Sequence, residues 1–239
     1  MRELQPLFDD LLVLLKDEFG DQLEGVLVTG SRLHGTPGPT SDLDVHVVIT
    51  ASRRKRRNIL LHGIEIEMFI NPAFRVPQYF EDGRGNTLHM FDFGRVIYVP
   101  RGIMASFQSD ARARWESGPP PIAANDYTHR YAPADTLRDL EDLGTSDEAT
   151  ANLLIVELVE MLVYSHYRVN RRWPEKLKRR LADLERWDAE AAGFARTALE
   201  AGPLAKRRTA VARLAEHVLR PLGGLMPLEW TMEWEELSP

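Results

Sequence analysis

Gly30-Ser31-Arg32-Leu33-His34-Gly35-Thr36-Pro37-Gly38-Pro39-Thr40-Ser41-Asp42-Leu43-Asp44-Val45 separates two short apolar runs, Gly25-Val26-Leu27-Val28-Thr29 before it and Val45-His46-Val47-Val48-Ile49 after it. The first run closes on a glycine and the second alternates, so the stretch predicts two strands joined by a glycine-rich loop. Asp42 and Asp44 stand two residues apart, which on a strand sends both carboxylates to one face and Leu43 and Val45 to the other. Mg²⁺ demands hard oxygen ligands, and two-metal phosphoryl chemistry clamps the attacking and leaving oxygens with cations about 3.5–4 Å apart. Paired aspartates meet that demand. Gly30-Ser31 opens a tight turn whose backbone N–H groups can cradle a triphosphate, with the serine hydroxyl as a further donor.

Upstream, Leu4, Leu7, Phe8, Leu11, Leu12, Leu15 and Phe19 recur at three- and four-residue intervals and Gly20 follows, which predicts a helix with one buried stripe. Downstream, Ile59-Leu60-Leu61-His62 and Ile64-Glu65-Ile66-Glu67-Met68-Phe69-Ile70 flank Gly63 and predict a hairpin of two strands. That second strand carries Glu65 and Glu67 on one face, either of which can supply a third carboxylate. After Pro72 the pattern turns irregular to helical, and Val96-Ile97-Tyr98-Val99 suits a further strand.

From Gly102 onward the periodicity is helical. Ile103, Met104, Phe107 and Trp115 share a stripe that ends at Gly118-Pro119-Pro120-Pro121, the best linker in the chain. Thr145-Ser146-Asp147-Glu148 has the spacing of a capping box. The helix it opens, through Leu153, Leu154, Ile155, Val156, Leu158, Val159, Met161, Leu162 and Val163, leaves little polar face and predicts a central place in a bundle. Trp173-Pro174 predicts the start of another helix with the stripe Leu177, Leu181, Leu184. Two more helices are expected from about Ala189 to Ala201 and from Gly202-Pro203 to about Arg220, the last turning Val211, Leu214 and Val218 inward. The expected fold class is α+β: a mixed sheet with flanking helices over 1–117, then an all-α bundle over 122–239.

The chain has 239 residues, enough for two small modules, and no cysteine. Disulfides, thiolate metal sites and a cysteine nucleophile are thereby excluded, and metal ligands must come from histidine and carboxylate. A formal charge of −6 argues against a surface that coats nucleic acid. The N-terminus runs straight into an amphipathic pattern and no apolar run approaches membrane-spanning length, so the expectation is a cytoplasmic protein with no membrane partner.

The order and spacing of Gly30-Ser31, ten intervening residues, Asp42-Leu43-Asp44 and a later acidic strand resemble the polymerase-beta-like nucleotidyltransferase superfamily. The resemblance implies two Mg²⁺ ions, ATP or another nucleoside triphosphate as donor, in-line attack on its α-phosphorus, and pyrophosphate as leaving group. Asp42 and Asp44 would be metal ligands and catalytic residues. By the same resemblance Glu67 matches the third acid better than Glu65, either as metal ligand or as general base. Gly30 and Ser31 would bind the nucleotide. The acceptor has no local signature, and a small molecule, a protein or an RNA all fit; superfamily members often pair, so a homodimer fits too.

Other residues carry a functional and a plainer reading together. His46 shares the strand parity of the aspartates and either faces the site or packs in the sheet. Arg32 and His34 lie in the loop and could touch the donor, while Thr36 and Ser41 also suit turn formation. Arg53-Arg54-Lys55-Arg56-Arg57 either holds an RNA or a triphosphate tail or is a solvated hairpin end. Lys176 and Lys178, at the start of a helix, either face donor phosphates across an interdomain cleft or form a charged face.

The helical half resembles the bundles that follow the catalytic module in aminoglycoside-modifying nucleotidyltransferases and in minimal nucleotidyltransferases partnered with HEPN domains. The second likeness implies an alternative, a fused antitoxin–toxin regulatory protein that binds nucleotide and metal. The HEPN ribonuclease pattern puts four to six residues between arginine and histidine. Here Arg213 precedes His217 with three residues between, and His166-Tyr167 has no arginine at the required distance upstream. A degenerate ribonuclease site is the expectation on that reading.

Overall fold

The structure is a computed structural model that describes residues 4–33, 35, 38, 40–81, 85–123, 126–144, 146–232 and 234. His34 and Thr36 in the loop, and Thr145 of the expected capping box, lie outside the described residues. The fold is α+β. The chain divides into two units, Met1–Gly118 and Pro119–Pro239.

In the first unit, α1 (Gln5–Phe19) has a proline in its first turn, where a missing N–H costs nothing, and ends at Gly20 with φ +51°. It buries Leu7, Phe8, Leu11, Leu15 and Phe19, together worth roughly 8–15 kcal/mol of gross transfer energy. Their counterpart is one face of a five-stranded sheet: β1 (Leu23–Thr29), β2 (Leu43–Ile49), β3 (Lys55–Leu61), β4 (Ile64–Pro72) and β5 (Arg95–Tyr98), in the order β3-β4-β2-β1-β5. β2 runs parallel to β4, and the other three pairings are antiparallel. Leu43, Val45, Val47 and Ile49 of β2 join Ile66, Met68 and Ile70 of β4 in the cluster with α1. The even-numbered residues of β2 and the odd-numbered residues of β4 therefore face the other way.

His62 and Gly63 both take positive φ, +49° and +74°, between β3 and β4, the pairing a two-residue type I′ hairpin turn requires. α2 (Val76–Glu81), α3 (Gly85–Phe93) and α4 (Ile103–Ser117) complete the unit. Phe91 of α3 meets Phe80 of α2 and Phe107 of α4 edge-on at 5.2 and 6.2 Å.

Lys55, Arg56 and Arg57 lie within β3, not in a solvated hairpin end. Strand alternation splits the run. Lys55 and Arg57 pair with Glu18 of α1 at 3.3 and 2.6 Å, and Arg56 turns to the opposite face.

The second unit contains α5 (Thr128–Asp142), α6 (Glu148–Val169), α7 (Leu177–Trp187), α8 (Ala189–Leu199) and α9 (Leu204–Leu219). α6 buries Ile155, Leu158, Leu162 and Tyr167 against a core that includes Val211, Leu214 and Val218 of α9. Buried Arg207 ties α9 to its neighbours, donating to the Ala198 carbonyl at 2.8 Å and to Asn152 Oδ1.

Asp147 is the N-cap of α6: its carboxylate accepts both the backbone N–H and the hydroxyl of Thr150. Two local expectations change. α7 begins at Leu177, three residues after Pro174, and Leu177 is exposed while Leu184 is buried. Leu153 and Val156 of α6 are 67% and 51% exposed, so its apolar surround exceeds the face it buries. Among the described residues, no helix is long and apolar enough to cross a membrane.

Candidate functional site

The parallel β2–β4 register sets Asp44 directly beside Glu67, His46 beside Phe69 and Val48 beside Asn71. Asp42 precedes β2 by one residue on the same side as Asp44. Carboxylate oxygens of Asp42, Asp44 and Glu67 all lie within 4.8 Å of one another. Asp44 is 6% exposed and the other two are half-buried. Glu65, two residues earlier on the same strand face, stands outside this group: it is exposed and accepts a bond from Asn58 Nδ2 at 2.7 Å.

Thr29 pairs with Asp44 across β1 and β2, so the chain leaves β1 at Gly30 immediately beside the carboxylates. Gly30 has φ +113°, and a Cβ there would sit 3.6 Å from Asp44 Oδ2 and 3.5 Å from the Asp42 carbonyl. Only glycine takes this path without strain. The turn closes when Leu33 N–H donates to the Gly30 carbonyl at 3.1 Å.

Ser41 clasps the returning loop. Its Oγ accepts from Gly38 N–H at 2.8 Å and shares a 2.9 Å hydrogen bond with Ser31 Oγ, and its carbonyl accepts from Arg32 Nε. The Ser31 hydroxyl thus has an internal partner before any ligand arrives. Lys178 is exposed on α7 of the second unit.

Arg56, on the edge strand, pairs with Glu67 and lies over the Phe69 ring at 4.6 Å. Nothing in its local sequence singles it out of the basic run; its role follows from the face to which strand alternation assigns it.

Farther along the same sheet face is a cavity of about 520 Å³ whose walls include His46, Phe69, Asn71, Tyr79, Arg54 and Arg56. Tyr79 donates to Asn71 Oδ1 at 3.0 Å. His46 is packed, not solvated: it stacks on Phe69 at 5.0 Å, meets Phe91 at 5.0 Å, and has Met90 Sδ 3.2 Å from Nε2. Burial lowers its pKa to about 4, so the ring is neutral at physiological pH.

The helical unit holds a second convergence that sequence reasoning missed, with His166, Asp188 and His217 within 4.8 Å of one another. Tyr167, adjacent to it, is buried and donates to Asp183 Oδ2 at 2.6 Å, and burial pushes its hydroxyl pKa up. Arg213 is exposed, whereas His217 Nε2 faces Asp188.

No family model matches the chain, and no curated protein matches it. Among solved structures, a nucleotidyltransferase-like protein from Exiguobacterium sibiricum 255-15 aligns with 91% of this chain and 73% of its own, at a TM-score of 0.51 and 12% identity. At that identity the likeness is one of architecture, and the chain has a nucleotidyltransferase-like fold.

Proposed function

We propose that the chain is a Mg²⁺-dependent nucleotidyltransferase that moves a nucleoside monophosphate, AMP from ATP as the leading assignment, onto a hydroxyl of an acceptor. The observation that carries this reading is the convergence of Asp42, Asp44 and Glu67 within 4.8 Å, beside the backbone turn at Gly30-Ser31. Three carboxylates form an all-oxygen donor set, which fits Mg²⁺. When bound, the metal would neutralise triphosphate charge and favour the ionised acceptor hydroxyl.

The residues of the chain divide the remaining work. Gly30 and Ser31 offer backbone N–H groups to the donor phosphates, with Arg32 completing the proposed donor-binding set. The acceptor oxygen bonds to the α-phosphorus, the α–β bridging P–O bond breaks, and pyrophosphate leaves. Glu67 either completes the metal shell or accepts the hydroxyl proton. Arg56 holds Glu67 through Oε1, which leaves Oε2 for either role and keeps a guanidinium beside the carboxylates. The adjoining cavity has the size of a small-molecule site and gives room for part of a substrate.

The test is incubation of the full chain with labelled nucleoside triphosphates, Mg²⁺ and panels of small-molecule, protein and RNA acceptors. Transfer or pyrophosphate release is expected, falling by about 10³-fold in Asp42→Asn and Asp44→Asn with the far-ultraviolet circular dichroism unchanged. Calorimetric binding of ATP with no turnover on any acceptor would favour the regulatory, binding-only reading.

A further inference from the structure

His166 lies in the last turn of α6, Asp188 is the N-cap of α8, and His217 lies in the last turn of α9. Asp188 Oδ1 accepts the Ala191 N–H at 2.9 Å and so satisfies the helix end by itself. The two imidazoles crowd the other oxygen: His166 Nε2 and His217 Nε2 stand 2.7 and 2.8 Å from Asp188 Oδ2. Trp187 stacks on His166 at 4.9 Å and fixes that ring. Glu190 Oε2 stands 3.6 Å from the remaining nitrogen of His217, Nδ1.

Two neutral rings satisfy this arrangement poorly, and only a protonated His217 would donate to Asp188 and Glu190 together. A neutral imidazole carries one N–H. If both rings place it on Nε2 to meet Asp188, the bare Nδ1 of His217 faces the Glu190 carboxylate, acceptor against acceptor. A divalent ion at the convergence removes the conflict: both Nε2 lone pairs and Asp188 Oδ2 become ligands, and His217 Nδ1–H points at Glu190. That is the carboxylate–histidine–metal pairing that orients ligating imidazoles.

We propose that His166, Asp188 and His217 form a second metal site, specific for Zn²⁺ or a similar first-row transition ion, with Glu190 orienting His217. Two imidazoles and one carboxylate select such an ion over Mg²⁺. Zn–N and Zn–O bonds near 2.0–2.2 Å set ligand edges of about 3.3 Å, so each Nε2 retreats from Asp188 by about half an ångström. Asn170 Nδ2 lies 3.3 Å from His166 Nδ1 and donates to the His166 carbonyl at 2.8 Å; with Nδ1 protonated it keeps the second contact and gives up the first. Asp188 and His217 side chains are 17% and 19% exposed and Glu190 is 68% exposed, which leaves the ion a route in and a position for water as fourth ligand. The ion would pin the ends of α6 and α9 to the start of α8.

The test uses the full chain carrying Asp42→Asn and Asp44→Asn, so that the carboxylates of the first unit are disabled, stripped with chelator and titrated with Co²⁺ and then Zn²⁺. Expected are about one equivalent of Co²⁺ with the visible absorption of a four-coordinate nitrogen–oxygen site, displacement of that band by Zn²⁺, and a metal-dependent rise in Tm. His217→Gln, which retains an amide donor for Asp188, should keep its helical dichroism while losing the band and binding Co²⁺ about a hundredfold more weakly. His166→Gln serves the same purpose if the first variant does not fold. Absence of a band in the parent, or an equal band in a folded glutamine variant, overturns the site.

Discussion

The Arg56 guanidinium stacks on Phe69 and pairs with Glu67, so the third carboxylate of the proposed metal cluster is held by a cation from the neighbouring strand. Arg56 is 67% exposed, so its field at Glu67 is screened and amounts to about 1 kcal/mol at contact distance in a water-like dielectric. Arg56→Ala should therefore tighten Mg²⁺ binding in the absence of nucleotide by about fivefold, read by calorimetry. An unchanged or weaker constant would argue against Glu67 in the metal shell. His46 gives a prediction in pH. Its folded pKa of about 4 lies below the ordinary histidine value of 6.5 because burial disfavours the charged ring, so between those values the unfolded chain binds more protons and stability rises with pH. The contribution is complete above pH 6.5 and is lost as pH falls toward 4, by about 3 kcal/mol in total. Chemical denaturation of His46→Phe, whose ring suits the Phe69–Phe91–Met90 surround, should show that much less acid sensitivity over the window.

Elements in this fold meet at close approaches that glycine alone permits. Gly94, between α3 and β5, would place a Cβ 2.4 Å from the Met90 carbonyl and 2.4 Å from Leu27 of β1. Backbone cannot yield as a flexible side chain does, so Gly94→Ala should cost about 1–3 kcal/mol. Gly193, exposed inside α8, has nothing within 4 Å of its Cβ position, and Gly193→Ala should stabilise by about 0.5–1 kcal/mol. Thermal melts of the pair separate the two effects, and equal shifts of one sign would contradict the close approach. The same scale shows what one sequence discloses. β1, β2 and the loop between them were legible because alternation and glycine are local signals, as was the hairpin at Gly63. The side-by-side placement of Asp44 and Glu67 was not, because it depends on the register of a parallel pair joined through another strand. Lys55–Arg57 lack an apolar alternation; within β3, Glu18 of α1 pairs with Lys55 and Arg57, and Glu67 of β4 with Arg56. Arg213 is the sequence neighbour of His217, whereas its partner Asp188 comes from the start of a different helix.

At the scale of the whole molecule, the two units have separate cores. The residues around α1 and the sheet and those around α6 and α9 form distinct clusters with no member in common. Gly118-Pro119-Pro120-Pro121 spans the boundary between the units, and a proline run resists helix continuation across it. All three carboxylates of the proposed Mg²⁺ cluster, with Gly30, Ser31 and Arg32, belong to Met1–Gly118. That unit exceeds the size below which small domains need disulfides or metals for a stable fold. Expressed alone, residues 1–118 should unfold in one cooperative thermal transition and bind Mg²⁺ within about threefold of the full chain, a difference of roughly 0.6 kcal/mol. A truncated chain that stays unfolded would mean the first core needs the second unit. A folded one that loses Mg²⁺ would mean the metal shell draws a ligand from beyond residue 118, and the three-carboxylate assignment would have to be redrawn.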